Sequence, residues 1–366
     1  MKGPPPSTVR LLVGERRKKG SALIVVLWAV TLLAFAVAIS GERVALMLGD
    51  SSLRARRLQA RLLAESAMVS RVGIFKEEQR RLLESTLPGE AAPRRLDLAH
   101  MIGSWRSQPV AFGEGWFWIE VRDEQARIHW RKTSPAVWRN LLELCGMPPE
   151  RIEVWFDAMA DWEDPGDVRR LNGAESADYL ALEQDRRRAK NLPITDLGEI
   201  PWIAGAPEIL DLRVPVDAAG RRARLAEITT LWGDGKINLN TAPPILVAAA
   251  LGLDLEEAVH LVRARAGPDG IEGTADDVPM ENIPRTAGAA KHSGLGELPG
   301  NRGPVAGSTT TSSKVFRLRG VGWFQGQQVT CEALVRSAGG DAFELIEEPR
   351  VVEARSVVGS PTVGRR

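Results

Sequence analysis

Hydrophobic and polar positions recur with different periods in different parts of the chain. From Ser21 to Ser40 the run SALIVVLWAVTLLAFAVAIS carries no charge. About 20 residues at a helical rise of about 1.5 Å span about 30 Å, the thickness of a bilayer's hydrocarbon core. A buried core helix is the alternative for such a run, but core helices are usually apolar over shorter stretches. From Glu42 to about Ser85 no proline interrupts, and Leu58, Leu62, Val69 and Val72 recur at helical spacing opposite arginines and glutamates. This predicts an amphipathic helix that continues the apolar run, or follows it after a loop at Gly41, and ends at Pro88 and Gly89.

Farther along, the period shortens to that of strands. GWFWIEVRDEQARIHW, residues 115–130, reads as two short strands around a polar turn at Asp123–Ala126. KVFRLRGVGWFQGQQVTCEALVRS, residues 314–337, places Val315, Arg317 and Val321 on one strand, turns at Gly326, and returns through Val329, Cys331, Ala333 and Val335. VVEAR, from Val351, adds an edge. Antiparallel strands this far apart in sequence, preceded by a long helix, predict one α+β domain whose sheet is interrupted by an insertion. The stretch 286–313 is rich in Gly, Ser and Thr and reads as a mobile loop, as does the tail after about Ser356.

Inside the insertion the chain repeats itself. IHWRKTSPAVWRNLL from Ile128 aligns without gaps with INLNTAPPILVAAAL from Ile237, so that Pro135 matches Pro244 and Leu142 matches Leu251. Each copy reads as a short extended piece, a proline-started helix, a glycine (Gly146, Gly252) and a second helix, which predicts two helical hairpins. Where the second copy has Asn238 and Asn240 the first has His129 and Arg131. A turn-bonding role for the asparagines is therefore expected in the second copy alone.

Charge sharpens the picture. The formal net charge is +1, but Lys2, Arg10, Arg16, Arg17, Lys18 and Lys19 face a lone Glu15 in the first twenty residues, and the rest is net acidic. Six cations precede the apolar run and only Arg43 lies close after it, a bias that holds the N-terminus in the cytoplasm and puts the bulk of the chain outside it. A nucleic-acid binder would concentrate cations in its folded part instead. KINLNTAPPILVAAALG is similar to helix-hairpin-helix modules that grip DNA backbones, which makes a membrane-anchored periplasmic DNA-binding module the rival reading. Asp254, Glu256 and Glu257 at its turn would repel phosphate. No nucleophile elbow, phosphate loop or zinc-helix motif is present, the four histidines are scattered, and no enzyme activity is expected. The tryptophans of WFW, 116–118, read as core and interface on an alternating strand. Cys145 and Cys331 fit no metal or redox spacing and read as free buried thiols, with pairing in an oxidising compartment as the alternative.

Two acidic stretches suit hard cations, which take six to eight oxygens from carboxylates and carbonyls brought together by turns. FDAMADWEDPGDVRRLNGAESADYL, 156–180, gathers Asp161, Glu163, Asp164, Asp167, Glu175 and Asp178 around Pro-Gly and Asn-Gly turns; a solvated loop with capping aspartates is the plain alternative. GPDGIEGTADDVP, 267–279, places Asp269, Asp276 and Asp277 on glycine-rich turns and resembles short calcium-loop repeats of extracellular proteins, with an ordinary turn as the alternative.

KKG followed by SALIVVLWAVTLL resembles a type IV prepilin leader. The resemblance implies cleavage by prepilin peptidase after Gly20, N-methylation of Ser21 and retention of the apolar helix. AVAIS, 36–40, would alternatively suit signal peptidase, releasing a secreted domain from Gly41. Prepilin-like proteins usually carry glutamate at the fifth position after the cut, where this chain has Val25. The K-type minor pseudopilins of the type II secretion system habitually lack that acid, and DW followed by NGAE and Tyr179 resembles their motif after the first hairpin, a region associated with calcium. ITDLGEI and PEIL, within 194–210, fit the same family.

That family resemblance implies an α+β pseudopilin fold: a long N-terminal transmembrane helix on an antiparallel sheet, interrupted by a large α-helical insertion with two hairpins. It implies a leader at 1–20, a membrane segment at 21–40, the long helix and first strands at 41–128 and the insertion at 129–285. The loop at 286–313, the C-terminal strands at 314–356 and a tail at 357–366 complete the organisation. The implied function is initiation or capping of the secretion filament at its tip. Implied partners are the I-type and J-type minor pseudopilins and the inner-membrane secretion platform, with Ca2+ as cofactor. The implied location is the inner membrane, single-pass, with the bulk periplasmic; no nucleic acid is expected. Val25 then belongs to an interface.

Overall fold

The computed structural model describes residues 21–70, 73, 101, 103–182, 187–204, 209–216, 220–274, 276–280, 305–339 and 342–356. Compact units divide at Arg56 and Arg57. Helix α1 (Ser21–Val69) runs unbroken through Gly41 and Gly49. In its first part the apolar side chains are exposed throughout, Leu23 by 76% and Leu27 by 67%. Thr31 and Ser40 donate their hydroxyls to the carbonyls of Leu27 (2.6 Å) and Ala36 (2.7 Å), so the helix satisfies its own polar groups. An apolar stretch of this length against which none of the described residues is packed suits hydrocarbon rather than water. Gly20 and the rest of the expected leader lie outside the described residues.

In the second unit the elements follow in the order β1 (Trp105–Arg106), β2 (Val110–Phe112), β3 (Gly115–Asp123), β4 (Ile128–His129), α2 (Pro135–Leu144), α3 (Pro149–Glu163), α4 (Ser176–Leu180), β5 (Arg213–Pro215), β6 (Arg222–Arg224), β7 (Thr229–Thr230), β8 (Ile237–Asn238), α5 (Pro244–Leu251), α6 (Leu255–Arg265), β9 (Thr309–Thr310), β10 (Val315–Phe324), β11 (Gln327–Gly339) and β12 (Ala342–Ser356). The main sheet has the antiparallel order β1-β3-β10-β11-β12, with β2 also on β3. β3 and β10 are neighbours, and everything between them in sequence forms the insertion. The fold is α+β. Gln325 and Gly326, both at positive φ, close the β10–β11 hairpin at the expected turn. The expected edge is longer than VVEAR, spanning all of β12, and tolerates Pro349 where the register with β11 shifts between Glu332 and Leu334.

The sheet face toward α1 carries Phe117, Ile119, Val121, Phe316, Leu318, Val329 and Cys331, packed on Ala60, Leu63, Ala64, Ala67 and Met68. This corrects the expected helix face. Leu58, Leu62 and Val69 are 57%, 50% and 78% exposed, and the packed side is the one lined by small residues. The cause is close approach: a Cβ on Gly320 or Gly322 would lie 2.0 Å from the Ala64 carbonyl oxygen or 1.9 Å from that of Ala60. Two glycines let the strand touch helix backbone and leave no hydrophobic signature on β10. The helix-facing residues of β10 are accordingly the even-numbered ones, Phe316, Leu318, Gly320 and Gly322. Val72, Pro88 and Gly89 lie outside the described residues.

The two strands read in 115–130 are β3 and β4, on either side of the polar turn, and β4 leaves the main sheet to pair in parallel with β7. β8 pairs in parallel with β9 in the same way, so both repeat copies open on a two-residue bridge to a Thr-Thr pair. The hairpins then follow as read: α2, Gly146 (φ 82°), α3; and α5, Gly252 (φ 69°), α6. Asn140 of α2 donates to the carbonyl of Ala249 on α5 at 2.9 Å. These positions are equivalent in the repeat, so the first helices of the two hairpins pack on each other. Around them lies a second core containing Trp130, Trp138 and Trp155 in mutual ring contact.

The stretch 286–313 is ordered at its end: residues 305–313 include β9 and buried Ser308 and Ser313, so this part of the expected mobile loop is structured. Residues 281–304 and 357–366 lie outside the described residues. Cys331 is buried on the sheet face and Cys145 is half-buried against the insertion core; both thiols are free, and burial pushes each up to about 11.

Candidate cation site and domain junction

Asp161 sits on the last turn of α3, fully buried, because the chain after the helix folds back over it. A Cβ at Gly173 would lie 1.9 Å from its Oδ2, so only glycine permits the return. Asp161 accepts from the backbone N–H of Arg170 at 3.0 Å and from its guanidinium at 2.5 Å, and the same nitrogen, Nη1, reaches Asp164 at 2.6 Å. Hydrogen bonding from Arg170 holds the Asp164 carboxyl below the usual carboxylate range. Glu175 is 3% exposed, and neither carboxylate oxygen has a hydrogen-bond partner. Burial raises its pKa, reinforced by the charges of Asp161, Asp164 and Asp167. A buried carboxylate without a partner is costly, and this one faces a net negative neighbourhood.

Asp178 plays another part. Its Oδ2 accepts from the Glu175 N–H at 2.9 Å, opening α4, and its Oδ1 faces Arg169 at 3.1 Å. Glu163 turns toward Arg131 and the Ile194 N–H. Among the described residues no three carboxylate, imidazole or thiol side chains converge closely enough to hold a metal ion. The arginine lies between two of the acids, and the orphaned oxygens of Glu175 are the feature that fits a cation. Asp161, Asp164, Asp167 and Glu175 are the residues that would have to draw together to hold one.

In the second acidic loop the carboxylates are largely spent on the loop's own backbone. Asp269 accepts from Ile271 N–H, Asp276 from Asp269 N–H, and Asp277 from the N–H groups of Gly273 and Thr274. Asp277 Oδ1 is buried without a partner, and burial pushes this carboxyl up to about 7. Buried Arg265 ties the loop to the insertion through Glu272 at 2.6 Å and the Leu239 carbonyl at 2.6 Å.

The expected polar turn at 123–126 is the junction between sheet and insertion. Asp123, 3% exposed, accepts from the Gln125 N–H, from Asn238 at 2.8 Å, from Thr241 at 2.5 Å and from Ser313 at 2.5 Å. It thereby fastens the end of β3, the second repeat and the approach to β10 at one point. Burial raises its pKa against these donors. Neighbouring Glu124, fully buried, is held below its usual pKa, because Arg127 and Arg317 outweigh the opposing effect of burial. It meets Arg317 at 2.7 Å and Thr230 at 2.5 Å, reaching the other parallel bridge. Three consecutive polar residues before a repeat were the signal, and their burial was not visible in the sequence.

The repeat's turn chemistry also corrects an expectation. Asn238 Oδ1 accepts from Asn240 N–H, and His129, its equivalent, does the same with Nδ1, accepting from the N–H groups of Arg131 (3.1 Å) and Lys132 (3.2 Å). An imidazole thus replaces a carboxamide as turn acceptor in the first copy. It must be neutral to do so, and burial, with Lys132 and Arg131 nearby, lowers its pKa to about 4. At the second hairpin, Asp254 caps α6 by accepting from Glu257 N–H at 2.8 Å. The helix start that would face a DNA phosphate is filled by the chain's own carboxylate.

Comparison with known proteins gives a consistent set of relatives. Residues 121–212 match the family model described as type II secretion system (T2SS), protein K. The chain is similar to the type II secretion system protein K of Klebsiella pneumoniae, 27% identical over 273 residues, covering 69% of this chain and 76% of that protein. It is also similar to the protein of the same name from Pseudomonas aeruginosa, 28% identical over 168 residues, covering 43% and 46%. Among solved structures it resembles a chain of the GspK-GspI-GspJ complex from enterotoxigenic Escherichia coli, with 14% identity and a TM-score of 0.45 over 84% of this chain and 99% of that one.

Proposed function

We propose, from the premise that this chain belongs to the protein K family of the type II secretion system, that it is the membrane-anchored minor pseudopilin that starts or caps the secretion filament. The exposed apolar start of α1 carries this reading. A helical stretch whose apolar side chains are all exposed among the described residues requires lipid or neighbouring helices. Val25 stands 65% exposed on that surface, where the glutamate usual in prepilin-like proteins would need a neighbour to neutralise it. A subunit without the acid makes no such demand, which suits an end of the filament. The sheet also carries a large insertion with its own core, a head more easily accommodated at a tip than between stacked subunits.

On this reading the leader is removed by prepilin peptidase after Gly20, Ser21 is N-methylated, and the bulk is periplasmic. The partners are the I-type and J-type minor pseudopilins and the inner-membrane secretion platform. Ca2+ is the proposed cofactor of the first acidic loop, supported by the unpaired oxygens of Glu175, and Asp277 gives weaker support for a second site. Mass spectrometry of the mature chain from membranes tests the anchor: an N-methylated Ser21 terminus is expected, and a terminus at Gly41 in a soluble fraction would overturn it.

A further inference from the structure

We infer that Arg170 is a displaceable internal counter-cation of the first acidic loop, holding Asp161 and Asp164 in place of a divalent cation and competing with one for them. This rests on the cation reading above and adds to it a residue that sets how strongly the loop depends on metal. Arg170 Nη1 touches both carboxylates, 2.5 Å from Asp161 and 2.6 Å from Asp164. Its single charge leaves Asp167 and Glu175 unneutralised, and both oxygens of buried Glu175 still lack a partner. The cluster is therefore closed without metal but left with a charge deficit that a divalent ion would remove.

Displacement requires only a side-chain movement. The backbone N–H of Arg170 makes its own bond to Asp161 Oδ2, so the loop keeps its path when the guanidinium leaves. The Arg170 side chain is 42% exposed, so its head can turn into water on a flexible stem, whereas Asp161 at 0% has nowhere to go. The loop accordingly keeps its shape when metal is scarce and binds metal less tightly than four unopposed carboxylates would.

The test compares the full-length chain in detergent with Arg170→Gln and Arg170→Ala, titrating CaCl2 by calorimetry and recording melting temperature with and without EDTA. Both variants should bind Ca2+ at least about tenfold tighter than the parent, and the gap between Ca2+-loaded and EDTA melting temperatures should widen. Equal affinities and equal gaps in all three chains would overturn the role of Arg170 while leaving the cation reading standing. Absence of Ca2+ binding in every chain would overturn both. A variant too unstable to purify in EDTA but folded in CaCl2 would support the inference in its strongest form.

Discussion

At the residue scale, the most consequential side chains are buried polar ones whose neighbours come from far away in sequence. His129 is 4% exposed and serves as a neutral turn acceptor with its pKa lowered to about 4. A histidine with a depressed folded-state pKa binds fewer protons native than unfolded, so its contribution is present above about pH 6.5 and is lost as pH falls toward 4. That amounts to about 1.4 kcal/mol per pH unit within the window. Denaturant titrations at pH 7 and pH 5 should show the wild-type chain losing more stability than His129→Asn, which keeps an acceptor and does not titrate. Equal losses would refute this assignment. Asp123 satisfies four donors from three parts of the chain, and Asp123→Ala should cost about 3–4 kcal/mol, since buried groups left unpaired each cost about 1–3 kcal/mol. A loss under 1 kcal/mol in urea unfolding would show that the junction is held elsewhere. Composition could not flag either residue, because an aspartate before a turn and a histidine in place of an asparagine both look like surface choices.

At the element scale, legibility followed how far each signal was local. Both hairpins could be read because proline starts, glycine stops and self-similarity act within a dozen residues. The β10–β11 hairpin was legible for the same reason. The packed face of α1 was not, because alanines and two strand glycines bring backbones together where a search for Leu and Val looks elsewhere. β4 was legible as a short strand after the polar turn, but its parallel partner, β7, lies about a hundred residues away. The glycine contact predicts an asymmetry. Gly322→Ala should cost about 2–3 kcal/mol by overpacking against Ala60, whereas Leu58→Ala, on the exposed side, should stay within about 0.5 kcal/mol. Thermal unfolding of the two variants checks it, and the reverse order would place the helix on the wrong face. Of the first acidic loop, the sequence offered the residues but not their division of labour: Asp178 caps a helix, Glu163 faces Arg131, and Arg170 enters among the acids.

At the scale of the whole molecule, the chain combines a helix whose apolar start is exposed among the described residues with a sheet split by an insertion of two helical hairpins, and it is similar to secretion-system K proteins. The central proposal is that this arrangement works as a membrane-anchored subunit joined to minor pseudopilins of a type II secretion system. Its most direct test is co-expression of the full-length chain with the I-type and J-type minor pseudopilins of its own secretion system, followed by membrane isolation, detergent extraction and native mass spectrometry. The account predicts a membrane-derived complex containing one copy of each of the three subunits. A chain recovered from the soluble periplasm, or one extracted from membranes without either partner at any expression ratio, would contradict it.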